Sequence, residues 1–433
     1  MNAQPGVGVR IVSDLSAAND ERQAIACHDC GLLLRARPLA RGEVARCPRC
    51  SGRLYGRGQH DLDRALALHL TGLLLFIVAN AFPFMTFKLE GLAETSTLFS
   101  GVLEFARQDL WFLAAVVACA AIFVPLAKLL ATLYLLIPLR VGRVPPYAAV
   151  AFRYIELMHP WAMMEVFLLG VLVAYVKLTD LATLELGPAV IAFAGLIVIL
   201  AAGEAAIEPR DIWSRLGPSV SRSKGGRGSD FVDCHSCGFV LLGTEGYSGH
   251  AACPRCGAHL HRRKPNSLSR TWALVITAAL LYIPANVFPV MTVISFGKGA
   301  PDTILSGVKE LIHADMWPLA LLVFFASITV PVLKLLGLSY LLISVQRRSH
   351  WRPRDRTRFY RIVEAVGRWS MIDIFMISIL IALVRLGNIA TIEPGVGATS
   401  FACVVIITMI ASHSFDPRLI WDRMEKPTHG STP

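Results

Sequence analysis

Residues 317–346 read WPLALLVFFASITVPVLKLLGLSYLLISVQ. About 20 apolar residues cross a bilayer, and this run exceeds that length while holding Lys334 inside it. A charge at such depth is costly, so it predicts a partner and a role. Residues 111–140 repeat the pattern as WFLAAVVACAAIFVPLAKLLATLYLLIPLR, with Lys128 in the matching place.

The duplication extends over the whole chain. ANAFPFMT at 79–86 returns as ANVFPVMT at 285–292. Thr97, Ser100 and Gly101 return as Thr303, Ser306 and Gly307, and Glu208-Pro209-Arg210 with Trp213 as Asp416-Pro417-Arg418 with Trp421. The offset stays between 206 and 208 residues, which marks an internal repeat. Apolar spans fall near 66–87, 110–139, 158–178, 186–206, 271–293, 316–345, 368–388 and 395–412. Four crossings per half give both halves one orientation, a parallel repeat about an axis along the membrane normal. The fold class expected is therefore an all-α polytopic membrane protein: eight transmembrane helices in two four-helix bundles, with two small cytoplasmic zinc ribbons.

Composition agrees. Of 433 residues 54% are hydrophobic and 17% charged, and mean hydropathy is +0.54. The net charge of +11 sits in connectors between spans, which points to membrane orientation rather than nucleic acid. The connector after span six carries Arg347, Arg348, Arg352, Arg354, Arg356, Arg358, Arg361 and Arg368. Basic loops stay in the cytoplasm, which places both termini and both cysteine-rich segments there. Residues 1–26 lack an apolar core, so no cleavable signal peptide is expected.

Those segments pair Cys27 and Cys30 with Cys47 and Cys50, and Cys234 and Cys237 with Cys253 and Cys256. The intervening 16 and 15 residues match zinc ribbons. Four thiolates leave no open position for a catalytic water, so the zinc expected is structural. A redox pair is the rival, but no βαβ pattern surrounds it. His28 and His235 read as bystanders, and Cys119 and Cys403 as small core residues. The domains expected are a disordered tail 1–22, ribbon one 23–60, bundle one 61–207, a linker 208–229, ribbon two 230–264, bundle two 265–415 and a cytoplasmic tail 416–433.

Lys128 lies 12 residues before Arg140, roughly 18 Å along a helix, and Glu165 lies 12 after Arg153. Lys334 and Asp373 are placed alike relative to Arg347 and Arg361. A lysine–carboxylate pair is thus expected in each bundle. Pro125 and Pro331, three residues before the lysines, predict kinks. Ser327, Thr329, Ser370, Ser378 and Thr408 face Ala121, Phe123, Ala162, Gly170 and Leu200 by the repeat offset. Bundle two is therefore expected to hold the polar interior, with Lys334, Asp373, Thr408, Ser327, Thr329 and Ser370 as a transport or proton-relay group. Lys128 and Glu165 are expected to be a structural pair. Asn80 and Asn286 are expected to close ordinary Pro-terminated helices.

No G-x-x-x-x-G-K-[ST], H-E-x-x-H or G-x-G-x-x-G occurs, so no enzyme or nucleotide motor is expected. The order ribbon, four spans, ribbon, four spans, with A-N-x-F-P-x-M-T and [DE]-P-R-x-[IL]-W, resembles the paraquat-inducible protein A (PqiA/LetA) family over essentially the whole chain. The resemblance implies an inner-membrane protein of Gram-negative bacteria. It also implies a periplasmic MCE-domain partner that forms a lipid tunnel, membrane lipids as cargo, and a part in envelope integrity. It places the family's intramembrane Lys and Asp on Lys334 and Asp373, with Thr408 nearby. A non-transporting anchor, or a zinc or redox sensor, is the alternative.

Overall fold

The computed structural model describes residues 9–11, 24–40, 42–56, 62–89, 92–179, 183–217, 220–222, 231–242, 252–295, 298–313, 315–349, 351–383 and 390–422. Most of the expected tail 1–22, part of the linker 208–229 and residues 423–433 lie outside them.

Among the described residues, eight helices are long and apolar enough to cross a membrane. Spans one to four are Leu62–Ala81, Trp111–Arg140, Ala148–Val176 and Pro188–Ala205, and spans five to eight are Ser267–Val287, Trp317–Gln346, Pro353–Leu383 and Val396–Ser414. Spans three and seven begin well before the expected 158 and 368. Their first turns (AFRYIEL and PRDRTRFYRIVEAV) are amphipathic, and each bends through a 3-10 turn, at His159–Trp161 and Gly367–Met371, before the apolar part. The helices of spans two and six do not simply kink at Pro125 and Pro331. Each widens into a π-helical turn just before, Cys119–Phe123 and Phe325–Thr329. A proline leaves the carbonyl four residues back without its donor and crowds it, and a wide turn relieves both.

Within each half the first and last spans lie side by side. The halves meet through spans three and seven, where Phe167 stacks edge-on to Phe375 at 5.2 Å. Every residue from Ile372 to Leu383 is buried, so span seven is the centre of the molecule. Gly101 touches this centre: a Cβ there would lie 2.8 Å from the Ser378 carbonyl oxygen. Backbone cannot yield cheaply, and overpacking costs about 1–3 kcal/mol. Gly101→Ala should therefore lower the melting temperature of the purified protein more than Gly307→Ala, whose Cβ would meet only Asp302 Oδ2 at 3.3 Å.

At the end of the bundles away from the ribbons lie two three-stranded antiparallel sheets, absent from the sequence reading. The first orders Leu92–Ser96, Met85–Leu89 and Thr183–Leu186, and the second Lys298–Asp302, Met291–Ser295 and Ala390–Pro394. They account for the repeated motif. Asn80 and Asn286 donate to the Phe76 and Tyr282 carbonyls as their helices end, and Met85 and Met291 then start the central strands, buried. The repeated Thr97/Ser100 and Thr303/Ser306 shape the turns that lead into the next helices, each threonine N–H donating to the serine Oγ at 2.7 Å, and Thr303 Oγ1 also accepts from the Ser306 N–H at 3.3 Å as a cap.

The ribbons dock crosswise. Ribbon one packs on bundle two, through Leu338, Leu341, Tyr360, Val363 and Trp421. Ribbon two packs on bundle one, through Leu135, Leu139, Phe152, Ile155 and Trp213. The two ribbons also share an apolar cluster of Ala24, Leu33, Val240 and Leu242. Three segments expected to be loose are folded. Val9–Ile11 adds a strand to ribbon one. Within the linker, Pro209–Leu216 is a helix with Ile212 and Trp213 buried. In the tail, Pro417–Ile420 forms a 3-10 turn beside the fully buried Asp416 and Arg418. In the last two, Ile212 and Trp213, and Ile420 and Trp421, reach the ribbon cores, which orders them. Cys119 is exposed and Cys403 half-buried, so neither is the core residue expected. They lie on the outer faces of spans two and eight, where a small apolar side chain suits surrounding hydrocarbon.

Candidate functional site

Each ribbon brings four sulfurs together. Cys27–Cys50 and Cys30–Cys47 are 3.5 Å apart, Cys234–Cys256 and Cys237–Cys253 3.6 Å, and each set of four lies within 4.8 Å. Tetrahedral Zn–S bonds of about 2.3 Å put sulfurs about 3.8 Å apart, so both sets fit such an ion. Four turns make the fit. In each, the residue after the second cysteine donates its N–H to the carbonyl of the first, with φ of 70° at Gly31, 58° at Ser51, 65° at Gly238 and 70° at Gly257. Glycine suits that left-handed region, and Ser51 is the exception. Contact with Cys27 pulls the Cys50 thiol down to about 7, and Cys237 pulls Cys234 down to about 6, which favours the thiolate a metal needs.

The basic connectors hold the ribbons. Arg361 donates to Asp29 at 2.5 Å and to the Cys50 carbonyl at 3.3 Å, and Arg354 to the Arg49 carbonyl at 2.7 Å. Burial opposes ionisation of Asp29, but His28 and Arg361 hold its carboxyl below the usual range. Arg153, the repeat counterpart of Arg361, donates to the Cys256 carbonyl at 3.3 Å. His28 and His235 stand outside both four-sulfur sets, and their rings meet edge-on at 6.1 Å where the ribbons touch. The [DE]-P-R-x-[IL]-W motif is a clasp on these modules. Arg210 stacks over Tyr55 at 4.4 Å. Arg418 grips Asp233 with two bonds of 2.6 and 2.7 Å and donates to the His28 carbonyl at 3.0 Å.

In bundle two Lys334 is 2% exposed. Its Nζ donates to Thr408 Oγ1 at 3.2 Å and to the Gly367 carbonyl at 3.4 Å. Gly367 is required there, since a Cβ would collide with the lysine side chain. The π turn carrying Ser327 and Thr329 packs on the 3-10 turn carrying Ser370. The Ser327 and Ser370 hydroxyls are buried without a hydrogen-bond partner among the described residues, and Thr329 is half-buried. Lys334 and Thr408 are thus brought together, but Lys334 and Asp373 form no ion pair among the described residues. Asp373 instead lines a small cavity of about 40 Å3 with Met291, Asp302, Thr303 and Phe401, towards the strand end. The tight turn Gly367–Met371 separates the two groups, and a count at 1.5 Å per residue does not carry through it.

Bundle one differs from expectation likewise. Lys128 pairs with Glu204 of span four, not with Glu165, and His159 Nε2 lies 3.1 Å from the same carboxylate. Glu165 is exposed but lines the same cavity as Lys128, together with His69. Sequence reasoning missed Glu204, His159 and His69. The signal was a carboxylate ending an otherwise apolar run, LIVILAAGEA.

Two segments, 62–217 and 268–425, match the family model described as paraquat-inducible protein A. The chain is 34% identical over 421 residues to "Intermembrane transport protein PqiA" of Escherichia coli (strain K12), covering 94% of this chain and 97% of that one. It is 29% identical to "Lipophilic envelope-spanning tunnel protein A" of the same strain, covering 92% and 91%. It is 26% identical to "Probable intermembrane transport protein" of Haemophilus influenzae, covering 92% and 95%. No solved structure matches.

Proposed function

The chain belongs to the paraquat-inducible protein A family, and from that premise we propose that it is the inner-membrane subunit of an intermembrane lipid transport system. It passes lipid to or from a periplasmic tunnel of MCE-domain proteins, with its ribbons and both termini in the cytoplasm. The relatives are named for transport, which supports the direction of this reading. The zinc ribbons are structural: eight cysteines fill two closed sites, and the arginines around them hold modules rather than substrate.

The observation that carries the reading is Lys334. An ammonium in the middle of a bundle, held among the described residues by a hydroxyl and a carbonyl, is poorly compensated for its desolvation. Such a group exchanges a proton at modest cost. The unbonded Ser327 and Ser370 hydroxyls can rotate to pass one along, and Asp373 receives it nearer the strand end. Thr408 orients the lysine and stays bonded to the Val405 carbonyl at 2.9 Å while doing so. Coupling to a proton gradient follows, with lipid moving along apolar walls as the lysine changes charge.

Lys334→Ala should abolish complementation of a deletion strain while the protein remains near its normal abundance. Lipid transfer by the reconstituted wild type should respond to an imposed pH gradient, and transfer by the variant should not. A stably expressed variant that complements fully would leave the bundles as an anchor only.

A further inference from the structure

Bundle one, expected to be inert, holds a much larger charged cavity than the one beside Asp373 in bundle two. It has a volume of about 310 Å3, within the usual range for small-ligand sites, and spans one to four all contribute polar side chains. These are His69, Lys128, His159, Glu165 and Glu204. By the repeat offset their counterparts are Val275, Lys334, Gly367, Asp373 and Ser412. Three of the five ionisable groups therefore exist only in bundle one. Gly367 leaves room for the Lys334 side chain, whereas His159 stands at the equivalent position and lines the cavity with Lys128.

The cavity has two poles. Lys128 and His159 both face Glu204, and a lysine ammonium with three donors keeps two after meeting that carboxylate. Glu165, on the same cavity, makes no ion pair among the described residues. The cavity thus offers both donors and a carboxylate acceptor that makes no ion pair among the described residues. Glu204 lies one residue from the end of span four, so the site opens near the ribbon-side boundary of the hydrocarbon. The flanking outer faces of spans one and four are apolar and exposed, with Leu70, Leu74, Ile191 and Val198.

We propose that this cavity binds the head group of an amine-bearing zwitterionic phospholipid, its phosphate at Lys128 and His159 and its ammonium at Glu165. The assignment rests on the lipid-transport reading and names a cargo class for it. A singly anionic phosphodiester lipid lacks the ammonium that Glu165 would meet, so the site discriminates between the two.

The test uses the full chain in detergent, offered equal phosphatidylethanolamine and phosphatidylglycerol of matched chains, with retained lipid read by native mass spectrometry. Wild type should retain the first at least fivefold over the second. Glu165→Gln should bring the ratio close to one. Ala201→Phe, which fills the cavity and leaves the ion pair alone, should lower total retained lipid several-fold. Equal retention by wild type, or a preference that neither variant changes, overturns the site. Soluble phosphoethanolamine displacing lipid at comparable concentration overturns the lipid assignment. Parallel transfer assays separate the two claims. Transfer intact with no head-group preference rejects this site alone. A Glu165-dependent preference with no transfer rejects the transport reading alone.

Discussion

Replacing Asp233 by alanine is expected to destabilise the protein by about 3–5 kcal/mol, because it leaves Arg418 charged and enclosed. Arg418 is 0% exposed, and its remaining side-chain bond is to the His28 carbonyl. Asp233 ends a strand of ribbon two, the arginine follows span eight, and His28 lies between ligands of ribbon one. One ion pair therefore ties three parts of the chain together. The same region is closed by Lys264, whose N–H donates to Asp416 at 3.1 Å, and by Arg263, bidentate to Asp422. Burial opposes ionisation of Asp416, yet the Lys264 N–H and Arg418 hold its carboxyl below the usual range. A double variant, Asp233→Leu with Arg418→Met, removes both charges and should recover much of the loss, since apolar replacement of a buried pair is often tolerated. Melting of the purified protein measures both. An Asp233→Ala variant within about 1 kcal/mol of wild type would mean that solvent reaches the arginine.

Much of this was legible in the sequence, and the exceptions have physical causes. Hydropathy located all eight spans, because backbone in hydrocarbon must be helical and apolar over a fixed length. Cysteine spacing located both metal-fit clusters, because tetrahedral thiolate sites need tight turns. Strands Met85–Leu89 and Met291–Ser295 were hidden because each is only five residues long. Helix-depth counting paired Lys128 with Glu165 and Lys334 with Asp373, and both pairings failed at a 3-10 turn that shifts the register. The crossed ribbons could not be read at all, since docking surfaces far apart in sequence leave no periodic trace. The polar asymmetry between halves was real, but its meaning was incomplete. Bundle two seals its lysine against the Thr408 hydroxyl, while bundle one keeps a larger cavity with two histidines.

Crossed docking makes an unequal prediction for the two four-cysteine clusters. Loss of the ion from ribbon one, through Cys27→Ser with Cys50→Ser, should loosen the ribbon end of bundle two rather than that of bundle one. An ion held there would contribute much: structural zinc supplies about 10–16 kcal/mol of apparent binding free energy in small modules that fold around it. Without it, ribbon one has short strands and a few buried side chains with which to stay folded. Its sulfurs and Leu34 form one core with Leu338, Leu341, Tyr360 and Trp421, so the ribbon's collapse exposes those residues. Arg361 would lose its contacts with the Cys50 sulfur and carbonyl, both at 3.3 Å, and Arg354 its carbonyl partners. Hydrogen exchange should rise across 338–363 and stay near wild type across 131–155. The matching variant in ribbon two, Cys234→Ser with Cys256→Ser, should reverse the pattern, since its core includes Leu135, Leu139, Phe152 and Trp213. Exchange that rises first in the bundle directly following each altered ribbon in sequence would rule out the crossed arrangement. The arrangement also has a consequence for mechanism. Each ribbon precedes one bundle in sequence and supports the other, so the two bundles cannot rotate apart without straining both metal sites.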